Sequence, residues 1–418
     1  MSNILIGVTG SVAAYRMLDV TRGLTKAGHK VRIILTKGGM EFVRPEVFKY
    51  LGADAVYGPQ DDFKSAANND LPGPVLHINL AKWADRMVLA PLSANTLAKM
   101  AHGMADDLLC SVVLARRQGT PLLLYPAMNT LMWNNPMVQE NCQRLQRSPE
   151  VFLHPPLEGE LVCGDEGQGK LPSVETLLDT IPFATPLKSI AKPAILISTG
   201  ATVVPLDPVR FLTNPSSGVT GFFLAQEAHR QGHPVTILHG RYSTERINNL
   251  RHLPGVQLLA LDTPNDFLQA VERLWPQHAV YISAAAIGDI IFKDQWQGKL
   301  KKAVLPENLA IVKAPDVLAR ALQMKGPKQH LIGFAAETDL AENVLREKYN
   351  KKPVDLLVGT KVHNGQIPSE LAPKQASGFK AEHADYCFFE NGQITFQGPL
   401  LKTALAQEIL NKVNLWLN

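Results

Sequence analysis

The feature that most constrains the fold of this sequence is an alternation that runs, stops and runs again. Ile4–Val8 reads as a short apolar strand, Val12–Ala27 has helical periodicity, and Val31–Leu35 reads as strand again. Met87–Ala90 and Leu122–Tyr125 are further apolar strands, each followed by a helical pattern. Strands that are apolar on both faces belong in a parallel sheet, because parallel crossovers lay helices over both sides of it. A Pro-rich stretch of low periodicity, Pro182–Pro193, then breaks the pattern and reads as a linker. The alternation restarts with a strand at Ala194–Ser198, a helix at Gly221–Gln231 and a strand at Val235–Leu238. Val280–Ala284, Leu331–Phe334 and Leu356–Gly359 follow as strands. Asn391-Gly392, set between Tyr386–Glu390 and Gln393–Phe396, predicts a hairpin, since both turn residues tolerate positive φ. An amphipathic helix over Thr403–Leu417 closes the pattern. Single cores stop growing at roughly 250–300 residues, so a chain of 418 residues is expected to hold two α/β domains. Their boundary falls near the linker, giving 1–190 and 191–418.

Composition narrows the partners. A chain that is 45% hydrophobic and 19% charged is globular. A net charge of +4 with no dense Lys/Arg block argues against nucleic acid and leaves anionic small molecules open. No apolar run approaches the roughly 18 residues of a membrane span, and the start carries no basic leader pattern. A cytoplasmic protein is the expectation. Its 4 cysteines (Cys110, Cys142, Cys163, Cys387) are scattered without metal-type pairing, so no metal ligands are assigned and any functional thiol acts singly. Cys110 and Cys142 fall inside helical patterns and read as core.

Sheets of this kind bind ligands beyond the carboxyl ends of their strands, and the unusual residues sit there. Gly7-Val8-Thr9-Gly10-Ser11 ends the first strand and opens a helix, where glycines and unpaired N–H groups suit a phosphate. A tight structural turn needs the same glycines. Ala90-Pro91-Leu92-Ser93-Ala94-Asn95-Thr96 and Pro126-Ala127-Met128-Asn129 follow the two later strands. Ser11, Thr36, Ser93 and Asn95 suit ligand contacts or ordinary helix caps, and Asn129 suits either a substrate or a cap. The run Leu161–Lys170 is glycine-rich and polar around Cys163 and has the composition of a lid.

Taken together, Ala13-Ala14-Tyr15, Ser93-Ala94-Asn95-Thr96 and Pro126-Ala127-Met128-Asn129 with Met132-Trp133 resemble the flavin-dependent cysteine decarboxylases. His77 with Lys82-Trp83-Ala84-Asp85, and Cys163-Gly164-Asp165-x-Gly167-x-Gly169, resemble the histidine segment and substrate flap of phosphopantothenoylcysteine decarboxylase. Arg16 stands where that family usually has lysine. The resemblance covers most of residues 1–180 and implies a flavodoxin-like parallel-sheet flavin domain. It implies FMN held around Gly10, Ser11, Thr36, Ser93 and Asn95. It assigns His77 as base, Asn129 to the substrate carboxylate and Cys163 as the acid that protonates the reduced product. The implied chemistry oxidises the substrate thiol to a thioaldehyde, which gives the departing carboxylate an electron sink, and then reduces the resulting ene-thiolate.

The second run resembles phosphopantothenate–cysteine ligase, the usual fusion partner. The matching residues are Asn214-Pro215-Ser216-Ser217-Gly218, Ala284-Ala285-Ala286 with Asp289, Lys299-x-Lys301-Lys302, and Gly333-Phe334-Ala335-Ala336-Glu337-Thr338, with Lys348 and Lys352 before Asp355. This implies a second, Rossmann-like α/β domain that activates 4′-phosphopantothenate with a nucleoside triphosphate, CTP or ATP, and Mg²⁺ before cysteine attacks. Asn214 and Lys302 fall at catalytic positions, and Ser216, Ser217, Gly218, Asp289, Phe334, Lys348 and Lys352 at nucleotide-binding ones. This chain departs from the pattern in places. Gly-Pro-Thr-x-Glu reads Gly200-Ala201-Thr202-Val203-Val204, Ser-Ser-Gly-Lys reads Ser216-Ser217-Gly218-Val219, and Ala-Asn-Asp reads Gly359-Thr360-Lys361. The resemblance further implies a homo-oligomer, with trimers through the flavin domain and dimers through the ligase domain. The sequence leaves two alternatives standing beside the bifunctional enzyme: a decarboxylase with a degenerate ligase half, and an FMN-binding regulatory protein.

Overall fold

The computed structural model describes residues 1–63, 75–160, 164–184, 192–301, 306–362 and 383–417. The chain divides into two compact units, Met1–Ser189 with His252–Pro254, and Ile190–Arg251 with Gly255–Asn418.

In the first unit six strands form one parallel sheet: β1 (Asn3–Val8), β2 (Lys30–Leu35), β3 (Ala55–Tyr57), β4 (Arg86–Leu92), β5 (Leu122–Pro126) and β6 (Val151–Leu153). Their order is β3-β2-β1-β4-β5-β6. Without the three-residue edge strand β3, the rest take the 2-1-3-4-5 order of flavodoxin-like sheets. Ile4, Ile6, Val31, Ile33, Val88 and Leu123 are fully buried, as strands covered on both faces require. Helices begin where the sequence supplies caps. Ser93 Oγ accepts from the Thr96 N–H at 3.4 Å and Asp107 Oδ1 from the Cys110 N–H at 2.8 Å, each cap worth about 1 kcal/mol. Cys110 and Cys142 are buried in the helices Leu108–Leu114 and Pro136–Gln146. The expected helix over Val12–Ala27 is divided into a 3₁₀ turn, Val12–Tyr15, and a helix, Arg16–Lys26. Beyond the sheet, β7 (Leu157–Glu160) and β8 (Glu166–Lys170) form an antiparallel hairpin. This is the region read from sequence as a lid.

The second unit repeats the plan. Its main sheet contains β9 (Ile195–Thr199), β12 (Val235–Gly240), β13 (Val256–Leu261), β14 (Val280–Ser283), β17 (His330–Glu337), β18 (Leu356–Lys361), β19 (His383–Glu390) and β20 (Gln393–Leu401). Two short hairpins, β10 (Val203–Pro205) with β11 (Phe211–Thr213) and β15 (Ile290–Phe292) with β16 (Ile311–Lys313), stand beside it. The order is β13-β12-β9-β14-β17-β18-β19-β20. Its first six strands are parallel and follow the 3-2-1-4-5-6 order of doubly wound nucleotide-binding sheets. The last two run antiparallel through the expected turn, with Asn391 at φ 51° and Gly392 at φ 79°. The helix Lys402–Leu417 packs on the helix Val219–Arg230. No helix among the described residues is long and apolar enough to cross a membrane.

Candidate functional site

In a doubly wound sheet the connections leave in opposite directions from the first strand and its later neighbour, opening a crevice between them. In the first unit that point lies between β1 and β4, and a cavity of about 550 Å³ sits there. Gly10 and Ser11 reach it from the end of β1, Ser93 from the end of β4, and Ala127, Met128 and Asn129 from the end of β5. Gly10 is glycine for a packing reason: a Cβ there would meet the Gly38 Cα at 3.2 Å, so the loops after β1 and β2 touch backbone to backbone. Ser11 makes no capping bond with its side chain, which leaves a hydroxyl for a ligand. Ser93 is a helix cap as well as a cavity residue. Val12, Phe42 and Met132 give the cavity apolar walls while staying 43%, 49% and 48% exposed.

Two expected ligand residues are not in the lining. Thr36 is buried, and its hydroxyl accepts from the Gly39 N–H at 3.1 Å as a helix cap. Asn95 is exposed on the first turn of the helix Ala94–Ala101.

Asn129 does two things. Its Oδ1 accepts from the Leu131 N–H at 2.8 Å, capping the helix Thr130–Trp133, and its Nδ2 donates to Asp165 at 2.8 Å. The Met128 N–H donates to the Gly169 carbonyl at 3.2 Å, so the β7–β8 hairpin is fastened to the loop after β5. Cys163 falls between those strands in sequence and lies outside the described residues.

His77 lies in the first turn of the helix Leu76–Trp83 and is not in the cavity lining. Its Nδ1 lies 2.8 Å from Asp62 Oδ2, and its backbone N–H donates to Asp62 Oδ1 at 3.1 Å. An ionised carboxylate only accepts, so this contact puts the ring proton on Nδ1 and leaves Nε2 as the basic nitrogen. Sequence reading missed Asp62. It stands fifteen positions before the histidine in an acidic turn, and nothing local marks it.

The second unit has the corresponding crevice between β9 and β14, with a cavity of about 580 Å³. Ser216 and Gly218 approach it at the start of the helix Val219–Arg230, where Gly218 has φ 75°, and a helix start is where backbone N–H groups can meet an anion. Asn214 and Asp289 also line it, and Asn214 Nδ2 donates to the Ala286 carbonyl at 3.3 Å, tying the two sides together. Ser217 is not in the lining; its carbonyl accepts from the Thr244 N–H at 2.8 Å. Phe334, Lys348 and Lys352, also expected, line it as well. Both lysines are ion-paired, Lys348 with Glu337 and Lys352 with Asp316 at 2.5 Å. Lys302 lies outside the described residues. Two lining residues not anticipated from sequence are Tyr386 and Lys402.

Residues 1–184 match the flavoprotein family, and residues 190–415 match the DNA/pantothenate metabolism flavoprotein C-terminal domain. The chain is 35% identical over 415 residues to the coenzyme A biosynthesis bifunctional protein CoaBC of Vibrio vulnificus (strain YJ016), spanning 98% of this chain and 96% of the relative. It is 34% identical over 363 residues to the Bacillus subtilis protein of the same name, spanning 86% of each. A solved PPC decarboxylase mutant complexed with pantothenoylaminoethenethiol is 34% identical over 43% of this chain and 96% of its own, with a TM-score of 0.39.

Proposed function

The chain belongs to the family of bifunctional coenzyme A biosynthesis proteins, which join a phosphopantothenoylcysteine decarboxylase to a phosphopantothenate–cysteine ligase, and from that premise we propose how its own residues divide the work. The first unit is a flavoprotein unit, and its cavity takes FMN. The cavity fits that group: Ser11 and Ser93 offer hydroxyls at the strand ends, close to the Gly10–Gly38 contact, and Val12, Phe42 and Met132 offer apolar walls to a planar ring. Bound flavin supplies oxidation of the substrate thiol and its later reduction. Asn129 holds the substrate carboxylate, which takes the place on Nδ2 that Asp165 occupies here. His77 accepts a proton at Nε2, with Asp62 fixing the tautomer. Cys163 supplies the proton that completes the product. Because His77 is not in the cavity lining, the site is completed at a contact between copies, in a trimer of the flavin unit.

In the second unit Ser216, Ser217 and Gly218 receive the triphosphate at the helix start, together with Mg²⁺. Asp289, Phe334, Lys348 and Lys352 hold the nucleotide, CTP or ATP. Asn214 steadies the acyl-nucleotidyl intermediate and Lys302 adds charge. The ligase unit dimerises, and the enzyme works in the cytoplasm on 4′-phosphopantothenate and cysteine.

The observation that carries this reading is the first cavity, in which Ser11, Ser93 and Asn129 converge from the ends of three different strands. Mass spectrometry tests it. Purified protein with FMN receives 4′-phosphopantothenate, cysteine and Mg²⁺ with CTP or ATP, and phosphopantetheine is the expected product. A sample that cannot convert added phosphopantothenoylcysteine would remove the residue assignments in the first unit.

A further inference from the structure

The β7–β8 hairpin contributes Glu160, Gly169 and Lys170 to the wall of the first cavity, and one of the contacts that fasten it uses the side chain assigned to the substrate. The Met128 N–H donates to the Gly169 carbonyl at 3.2 Å. Gly167 lies against Thr130, where a Cβ would meet the Thr130 Oγ1 at 2.7 Å. Between these contacts and the turn at Gly164, which has φ 85°, the Asp165 carboxylate accepts from Asn129 Nδ2 at 2.8 Å. Asn129 lines the cavity and Asp165 does not, so the carboxylate reaches Asn129 from the hairpin side.

The amide of Asn129 is oriented by its other end. Its Oδ1 accepts from the Leu131 N–H at 2.8 Å, which leaves Nδ2 as the end that meets an acceptor. An ionised carboxylate is a strong acceptor for such a donor. Asp165 and the cysteinyl end of the substrate carry that same group. Nδ2 has two hydrogens, but two carboxylates bonded to one nitrogen would stand within about 5 Å of each other and repel. The two groups therefore replace one another at Asn129.

We propose that Asp165 is an internal stand-in for the substrate carboxylate, bonded to Asn129 until substrate enters and exchanges its own carboxylate for that of the hairpin. This inference deepens the assignment of Asn129 to the substrate carboxylate and rests on it. The exchange trades one charge-assisted hydrogen bond for another, so the carboxylate adds little net affinity. Contact with Asn129 that substrate and transition state share equally would only lower KM without raising kcat, and Asp165 cancels part of it. The product has lost its carboxylate as CO₂. It leaves Asp165 in place and gains nothing at Asn129. Asp165 thus sets how much more tightly the protein holds its substrate than its product.

Turnover of supplied phosphopantothenoylcysteine by the full-length, FMN-loaded protein tests it, with phosphopantetheine added as a competing inhibitor. Wild type, Asp165→Asn and Asp165→Ala are compared, and flavin absorbance serves as the control for folding. Because the bond is exposed, Asp165→Ala should lower KM by roughly threefold to tenfold. Its kcat and the inhibition constant of phosphopantetheine should stay within about twofold of wild type. Asp165→Asn keeps a weaker, neutral acceptor and should lower KM by less. An Asp165→Ala with a raised KM would make Asp165 a group that holds bound substrate, and one that tightens substrate and product alike would make it a plain closure of the cavity. Either result, or an unchanged KM in both variants, overturns the stand-in while leaving the role of Asn129 intact. Asn129→Ala checks that role separately and should raise KM by at least about tenfold or abolish turnover. If it keeps the wild-type KM and kcat, the carboxylate assignment fails and the stand-in fails with it.

Discussion

The two units are built on the same strand order, and each opens its cavity beside the same strand, β1 in one and β9 in the other. They differ in how their anticipated residues are already bonded. In the first unit the anticipated base, His77, gains a carboxylate that fixes its proton, and Ser11 has a side chain not used for capping. In the second unit the anticipated cations Lys348 and Lys352 are tied to Glu337 and Asp316, and the unanticipated buried cation is Lys402. A shared topology thus fixes where a ligand sits, while the neighbours of each side chain fix what that side chain still has to offer.

Five measurements sharpen or break this contrast. His77→Asn should keep the flavin absorbance, lose roughly 10²–10⁴ in the rate of CO₂ release and leave ligation unaffected; retained turnover would take the base out of the first unit. Asp62→Asn should lower kcat by about ten- to a hundredfold with KM nearly constant, because the partner orients the base and does not touch substrate. A fall in KM-dependent binding instead would mean that Asp62 shapes the pocket.

Gly39→Ala and Gly240→Ala probe the architecture common to both units. A Cβ on Gly39 would run into the Val8 carbonyl and one on Gly240 into the Ala201 carbonyl, both rigid backbone. Each change should destabilise its own unit by about 1–3 kcal/mol in a thermal melt, and two unequal losses would show that the repeated plan is not equally tight.

Acid separates the units next. His233, His239 and His278 in the second unit are each held below the ordinary histidine value, first by burial, whereas His29 is the corresponding residue in the first. A histidine kept neutral by the fold contributes no pH dependence above the unfolded value of about 6.5 and costs stability as pH falls below it. Calorimetry between pH 7 and 5 should therefore lower the Tm of the second unit more than that of the first. The smallest effect is expected from Lys348→Ala or Lys352→Ala. Each charge is already offset by a half-exposed pair, so nucleotide KM should rise by less than about fivefold.

Much of the framework was legible because its signals are local. The Asn391-Gly392 turn, the fully apolar strands and the caps at Ser93 and Asn129 each follow from a few adjacent residues. The β7–β8 hairpin was read as a loop because Leu157–Glu160 and Glu166–Lys170 are polar and glycine-rich and show no apolar alternation. The three-residue strands β3 and β6 are too short to show periodicity. Asp62, Tyr386 and Lys402 became visible only in three dimensions. A carboxylate beside a histidine, a tyrosine without a partner and a lysine out of water are properties of neighbours, and a lone lysine at the start of a helix reads from sequence as a solvated charge. Thr36 shows what position alone leaves open: a residue after a strand suits a ligand contact or a cap, and the Thr36 oxygen accepts from the Gly39 N–H.

The antiparallel pair β19–β20 has a consequence for how the second unit comes into being. Its turn joins neighbours in sequence, and a hairpin of this kind closes on the order of microseconds. Pairing Ile195 with Val280 at the centre of the same sheet must first close a loop of more than eighty residues, which is slow. The cavity wall that Tyr386 forms is therefore carried by a fast-forming piece that must dock onto a slow-forming one. Until it docks, β18 presents an open edge, the kind of surface on which unfinished chains join one another.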